Sequence, residues 1–353
     1  MERKKILIVG PSPTKSKGGM ATVISEIMED DYLKSSVDID IFESYVDGNK
    51  TKRLLYSIFA FIKFCATKNK YDIYHIHAAS RGSTFRKGYY VKMVKKWNKK
   101  VIFHIHGAQY IEFYNEISDK KKRRVKEILH EADRVVALSQ DWKEKFDNIF
   151  KLDNCIVLKN GINMQKLQPS INNPADFQKS FLVLGRIGKR KGTYDLIEAF
   201  KLVKFNQPNV ICYVAGDGEI DKATEIIKKN NLQDNVIVVG WADYDKKIEL
   251  LSKVSTVILP SYNEGLPMAI LEGMASGKAI ISTTVGAIPE VVSKDNGILI
   301  EPGDVKALAK SIDVICNDLD LLNHFKTYNI KKITENYSME TMHIQLLEYY
   351  KSV

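Results

Sequence analysis

The sequence predicts an α/β protein of two consecutive parallel-sheet domains. Three observations predict it. Short apolar runs rich in β-branched residues recur along the chain, many of them ended by Gly, Pro or Ser, which marks buried strands. Segments with helical spacing lie between them, giving the strand–loop–helix alternation of a parallel sheet. At 353 residues, 44% hydrophobic and 27% charged, the chain can fill two cores.

Lys5–Gly10 (KILIVG) opens the first sheet, and a helical pattern follows over Ala21–Met28. Gly18 and Gly19, before that helix start, let backbone approach an anion closely. The spacing is not GxGxxG, so a dinucleotide site is not supported there. Val37–Phe42 (VDIDIF) alternates and reads as a half-buried strand; its Asp38 and Asp40 are the solvent face, not metal ligands. Arg53–Ala66 (RLLYSIFAFIKFCA) is an apolar helix too short to span a bilayer. It suits packing on the sheet, or lying on anionic headgroups beside the basic, aromatic-rich Lys87–Lys100.

Asp72–His77 (DIYHIH) and Val101–Gly107 (VIFHIHG) are strands ending in His-x-His. Alternation puts His104 and His106 on one face, as metal ligands would be. No third or fourth ligand is apparent, so no metal is expected. His75, His77 and His104 are expected to be satisfied core residues, whereas His106, at the strand end before Gly107, should face a ligand. Asp119–Arg134 is a basic helix, Val135–Leu138 and Cys155–Leu158 are strands, and Asn160–Asn163 is a turn. The run from there to Ser180, with Pro169, Asn172, Asn173 and Pro174, reads as a linker. Domains are therefore expected over 1–165 and 166–337.

The second half starts with Ser180–Gly185 (SFLVLG) and the loop RIGKRKG, then a helix over Tyr194–Lys204. Arg186 and Lys191 in that loop suit phosphate, one as a fork and one as a point charge. Val210–Ala215 leads to the tight turn Gly216-Asp217-Gly218, where a base or ribose can approach. Val236–Gly240 leads to Trp241, expected to line a base pocket.

Thr256–Val292 (TVILPSYNEGLPMAILEGMASGKAIISTTVGAIPEVV) organises the rest. Thr256–Leu259 is a strand, Ser261–Leu266 a polar loop containing Gly265, and Pro267 suits the first position of the helix Met268–Ala275. Ala279–Ser282 is the next strand, and Gly286-Ala287 precedes a second helix start at Pro289-Glu290. Glu264 in the loop and Glu272 in the helix can face one crevice, because helical side chains tilt toward the N-terminus. The helix start between them offers free N–H groups to a phosphate, and carboxylates accept several hydrogen bonds from sugar hydroxyls.

Glu264 and Glu272, within EGLPMAILEGMASGKAII, resemble the paired glutamates of retaining GT-B glycosyltransferases, especially family 4. Gly273 and Lys278 stand where that family commonly has Ala and Pro. The likeness runs over nearly the whole chain, strongly in the second half and loosely in the first. It implies the GT-B fold, two Rossmann-like domains facing across a cleft, with the last helix, about Ser338–Val353, packed back on the first. It implies a retaining hexosyltransferase that needs no metal or cofactor and draws on a nucleotide-diphosphate sugar, UDP-sugar by default. His106, Glu264, Arg186 and Lys191 are the implied catalytic set. Arg186 and Lys191 clamp the donor diphosphate, His106 lies against the donor sugar, Glu264 holds sugar hydroxyls and Glu272 the ribose. Gly18, Gly19, Gly216, Asp217, Trp241, Gly265, Leu266 and Pro267 complete the donor site, with Gly286 and Glu290 on its phosphate side.

The net charge of +10 is lopsided: 31 basic against 20 acidic residues in 1–163, and 22 against 23 in 164–353. Such a basic half attracts nucleic acid, an anionic membrane or an acidic substrate. No nucleic-acid motif accompanies it, so that partner is not expected. The expected acceptor is a lipid-linked or cell-envelope glycan precursor. The expected place is the cytoplasm, peripheral on the inner face of the cell membrane. The alternatives are a soluble transferase with a small acidic acceptor and a catalytically silent sugar-nucleotide binder. The four cysteines are scattered, as in a reducing compartment, and MERKKILIVG runs straight into a strand, so no signal peptide is expected.

Overall fold

A computed structural model describes residues 3–16, 18–46 and 50–353; the side chains of residues 50–54, which include Arg53 and Leu54 of the expected apolar helix, lie outside the described ones. The chain divides into two compact units, Met1–Gly161 with Met339–Val353, and Ile162–Ser338.

The first unit has β1 (Lys5–Pro11), α1 (Gly19–Glu29), α2 (Asp31–Ser36), β2 (Asp38–Tyr45), α3 (Lys50–Cys65), β3 (Ile73–Ala78) and α4 (Gly82–Lys96). It continues with β4 (Lys100–Ile105), α5 (Tyr110–Glu116), α6 (Asp119–Glu131), β5 (Arg134–Ala137), α7 (Gln140–Phe150) and β6 (Cys155–Val157). The six strands are all parallel, in the order β2-β1-β3-β4-β5-β6. The build direction reverses between β1 and β3, which opens a crevice at their C-terminal ends. Phe64 of α3 meets Tyr90 of α4 and Tyr74 of β3 edge to face, with ring centres 4.6 and 5.5 Å apart. These aromatic contacts fix α3 and α4 on one face of the sheet.

The helix Met339–Ser352 belongs to this unit. Tyr349 donates to the Val157 carbonyl at 2.7 Å, and the Tyr350 hydroxyl lies 2.8 Å from His75 Nδ1. Lys4 Nζ donates to the carbonyls of Tyr350 and Val353 at 2.9 and 3.1 Å.

The second unit has α8 (Met164–Leu167), β7 (Ser180–Leu184), α9 (Thr193–Val203), β8 (Ile211–Ala215), α10 (Ile220–Lys229), β9 (Val236–Gly240) and α11 (Tyr244–Ser252). Then come β10 (Thr256–Leu259), α12 (Met268–Ala275), β11 (Ala279–Thr283), α13 (Ile288–Val291), β12 (Gly297–Ile300), α14 (Val305–Asn317) and α15 (Leu319–Asn336). Its strands are also parallel, in the order β12-β11-β10-β7-β8-β9. Here the switch point lies between β7 and β10, whose core residues Phe181, Val183 and Ile258 are fully or almost fully buried.

The expected linker is instead part of the second unit. Its Pro and Asn residues form two 3-10 turns, Gln168–Ser170 and Pro174–Phe177. Asn172 Nδ2 donates to the carbonyls of Ser252 and Val254 at 2.8 and 2.9 Å, and the Ser170 hydroxyl reaches Ser276 at 2.6 Å. Turn-forming composition thus marks irregular backbone, not a free tether, because the freed polar groups find partners in the unit itself. The units part at Gly161/Ile162 and at Ser338/Met339.

Candidate active site

The loops after β7 and β10 meet at the second unit's switch point. Gly192 and Pro260 bring them together: Gly192 has φ +69°, and a Cβ there would run into the Pro260 carbonyl oxygen. Tyr262 N donates to the Arg190 carbonyl at 2.9 Å, and Arg190 Nη1 to the Asn263 carbonyl at 3.0 Å. Across this junction Lys191 Nζ binds Glu264 Oε1 at 2.6 Å, with side chains only 13% and 7% exposed. A cation and an acceptor-only carboxylate therefore sit side by side at the mouth of the sheet, where a diphosphate and sugar hydroxyls would need them.

Arg186, by contrast, is 70% exposed and 3.8 Å from Asp217. Asp217 follows Gly216, whose N–H donates to the Gly240 carbonyl at 2.7 Å, so the ends of β8 and β9 are tied just ahead of Trp241. Trp241 itself is half-exposed.

Pro267 is the N-cap of α12, one position earlier than the sequence suggests, and no side chain caps the start. Gly265 and Leu266 precede it, with Leu266 buried. Gly286, at φ +59°, lies against the Glu264 carbonyl, and Ala287 N donates to the Gly265 carbonyl at 3.0 Å. The loops after β10 and β11 are thereby docked, so the backbone that carries Glu264 is held from both sides. Glu272 is buried in α12 and binds Lys247 Nζ of α11 at 2.5 Å. Lys247 is missing from the sequence reading: it lies 25 positions before its partner, with no motif to flag it.

The two departures from the family pattern have local causes. A Cβ on Gly273 would come within 2.8 Å of Val257 Cγ2, so Ala there would require Val257 to shift. Lys278 is fully buried and gives its ammonium to Asn172 Oδ1 at 2.8 Å.

In the first unit Gly18 (φ +113°) is the N-cap of α1 and Gly19 its first residue. His106 follows β4 and is not alone. β3 and β4 pair with His77 opposite His104, which stacks four imidazoles on one sheet face. His77 Nδ1 lies 2.9 Å from His106 Nε2, and His75 Nε2 lies 3.2 Å from His104 Nδ1. Burial lowers the affinity of all four rings for protons. Two expectations are corrected here. His77 and His104 each keep one buried ring nitrogen without a hydrogen-bond partner, so they are not satisfied core residues. The third histidine not apparent on β4 alone comes from β3: His75, His77 and His104 offer nitrogens within 4.8 Å of one another. Neighbouring-strand register, invisible in single-strand spacing, is the reason. The expected basic surface Lys87–Lys100 is also partly used internally, since Lys95 and Lys100 bind Asp133 and Lys99 binds Asp72.

Comparison with known proteins agrees with this architecture. The family model for glycosyl transferases group 1 matches residues 164–332, and that for glycosyltransferase family 4 matches residues 22–166. An uncharacterized glycosyltransferase of Methanocaldococcus jannaschii is 30% identical over 76% of this chain and 72% of its own. The capsular polysaccharide biosynthesis glycosyltransferase CapM of Staphylococcus aureus is 27% identical over 63% of this chain and 62% of its own. The structure of Anabaena HepE in complex with UDP-glucose superposes with a TM-score of 0.80 at 19% identity, covering 99% of this chain and 100% of that one. The chain belongs to the family 4, group 1 glycosyltransferases, with the GT-B fold of two Rossmann-like domains.

Proposed function

We propose that the protein transfers a hexose from a UDP-sugar, with retention of anomeric configuration and without a metal ion, to a lipid-linked precursor of a cell-envelope glycan. The observation that carries the reading is the Lys191–Glu264 pair, 2.6 Å apart at the second unit's switch point. Lys191 and Arg186 neutralise the diphosphate as it leaves, and the open start of α12 adds its N–H groups. Glu264 accepts the hydroxyls of the transferred sugar; Glu272, steadied by Lys247, accepts those of the ribose. The UDP bound to HepE and the capsule role printed for CapM support the donor base and the acceptor class. NMR of the product's anomeric proton, with and without EDTA, tests the mechanism. Retention and full activity in chelator are expected. An inverted product, or activity lost in EDTA and restored by Mn²⁺, overturns it.

A further inference from the structure

The first unit holds a cavity of about 910 Å³, lined by none of the second-unit residues that the donor reading uses. It opens at the C-terminal ends of β1, β2 and β3, this sheet's own switch point, where α/β sheets bind ligands. Its volume falls in the range of ligand clefts, about 300–1,000 Å³. The walls are mainly apolar: Met20 and Ala21 of α1, Ile58, Phe61 and Ile62 of α3, and Tyr90 of α4.

Two cations line the same cavity. Arg86 lies over the Tyr45 ring at 5.7 Å. Lys87 is 5% exposed. Its ammonium donates to the Val9 carbonyl at 3.1 Å and to the Ser44 hydroxyl, with the Tyr90 ring at 5.3 Å. Among the described residues no carboxylate lies within 4 Å of it. Burial lowers its hold on the proton well below the ordinary lysine range. A buried ammonium with only neutral partners is costly, and an arriving anion would offset that cost.

At the mouth of the cavity α3 continues the apolar surface outward. Leu55, Ile58, Phe59 and Ile62, spaced i, i+3, i+4, i+7, are 54–65% exposed. Tyr89 of α4 carries the surface on to α6, where Arg124 lies over its ring at 5.3 Å and Lys120, Lys121 and Arg123 are exposed. An apolar-walled cavity with a buried cation, opening beside an apolar ridge with a basic flank, fits a hydrocarbon chain joined to phosphate. We propose that this cavity holds the phosphate-proximal end of the acceptor lipid, with phosphate on Lys87 and Arg86 and the first stretch of hydrocarbon against α3 and α4. The assignment rests on the lipid-acceptor reading above.

The test measures binding of farnesyl diphosphate, inorganic diphosphate and farnesol to the full chain without vesicles, under saturating UDP so that the donor site is filled. Farnesyl diphosphate is expected to bind at least about tenfold more tightly than either fragment. Ile58→Trp with Ile62→Trp, both exposed and so compatible with folding, should fill the cavity, weaken that binding about tenfold or more and leave UDP affinity unchanged; Lys87→Met should weaken it similarly. Equal binding of farnesyl diphosphate and inorganic diphosphate, or no effect of the tryptophans, overturns the assignment. Transfer assays separate the two readings. If wild type glycosylates a lipid-linked acceptor and the tryptophan variant keeps its KM, the cavity assignment falls alone. If farnesyl diphosphate binds as expected but no lipid-linked acceptor is glycosylated, the acceptor reading fails and takes the proposed occupant with it.

Discussion

Lys278 shows what one residue does when the fold gives it no water. Burial, with Lys326 nearby, pushes its ammonium down to about 7. An unfolded lysine keeps its proton to about pH 10.4. Between those values the unfolded chain binds the extra proton, so stability rises with pH. This group alone is expected to add about 2 kcal/mol between pH 7 and pH 9. Lys278→Met should remove that slope, as denaturant unfolding of both proteins at the two pH values would show. An equal slope in the variant would mean that Lys278 stays protonated in the fold. The paired glutamates allow a second residue-scale prediction. Lys247→Met leaves the buried Glu272 carboxylate without its 2.5 Å partner, and is expected to weaken UDP binding about tenfold. Glu264→Ala should instead leave UDP affinity within about twofold and lower turnover about 100-fold. Calorimetry with UDP, set against initial rates, distinguishes the two roles. At this scale Glu264 and Glu272 stand out in the sequence because they sit in a spaced motif, and Arg186 and Lys191 because they lie in a basic loop after a strand; the structure brings Lys191 to Glu264 and leaves Arg186 exposed beside Asp217. Lys247 and the four-histidine stack are not legible there, since the fold alone brings Lys247 of α11 to Glu272 of α12 and the β3–β4 register aligns the histidines.

At the scale of elements, the site depends on loops being held against each other. Gly192 lets the β7 loop touch the Pro260 carbonyl. In Gly192→Ala the left-handed backbone alone costs about 1–2 kcal/mol, and the clash must also part the loops carrying Lys191 and Glu264. Loss of both thermal stability and UDP affinity is expected; a variant that melts earlier but binds UDP normally would show that the loops tolerate the separation. The strands were readable because buried parallel strands are short, β-branched and closed by turn residues. The segment at 168–179 was misread for a physical reason: Pro and Asn report irregular backbone and say nothing about whether its polar groups are satisfied by solvent or by protein.

For the whole molecule, the charge asymmetry becomes a surface. Among the described residues no helix is long and apolar enough to cross a membrane. The exposed ridge of α3 and the basic face of α6 are joined through Tyr89. Each basic residue near an anionic leaflet contributes on the order of 1 kcal/mol, so flotation with phosphatidylserine vesicles is expected at low salt and should fade as salt rises. Lys120, Lys121 and Arg123 changed to Glu should abolish it. Lys95 and Lys99 should matter less, because Asp133 and Asp72 already hold them. No flotation of wild type at low salt would favour the small acidic acceptor. The lopsided charge was plain in the sequence, but which lysines face outward depends on ion pairs that only the fold creates.

The division of the chain also has a consequence for its birth. The second unit is an insertion within the first, entered after Gly161 and left before Met339. A ribosome making about 5–20 residues per second therefore needs on the order of ten to forty seconds between completing β6 and delivering the helix that bonds to His75, Lys4 and Val157. During that interval the half made earliest stands unfinished, with the sheet face meant for Tyr350 uncovered, while the half made later can already close. Assembly order is then the reverse of synthesis order, and a nascent chain stalled short of Met339 would present that open face to chaperones.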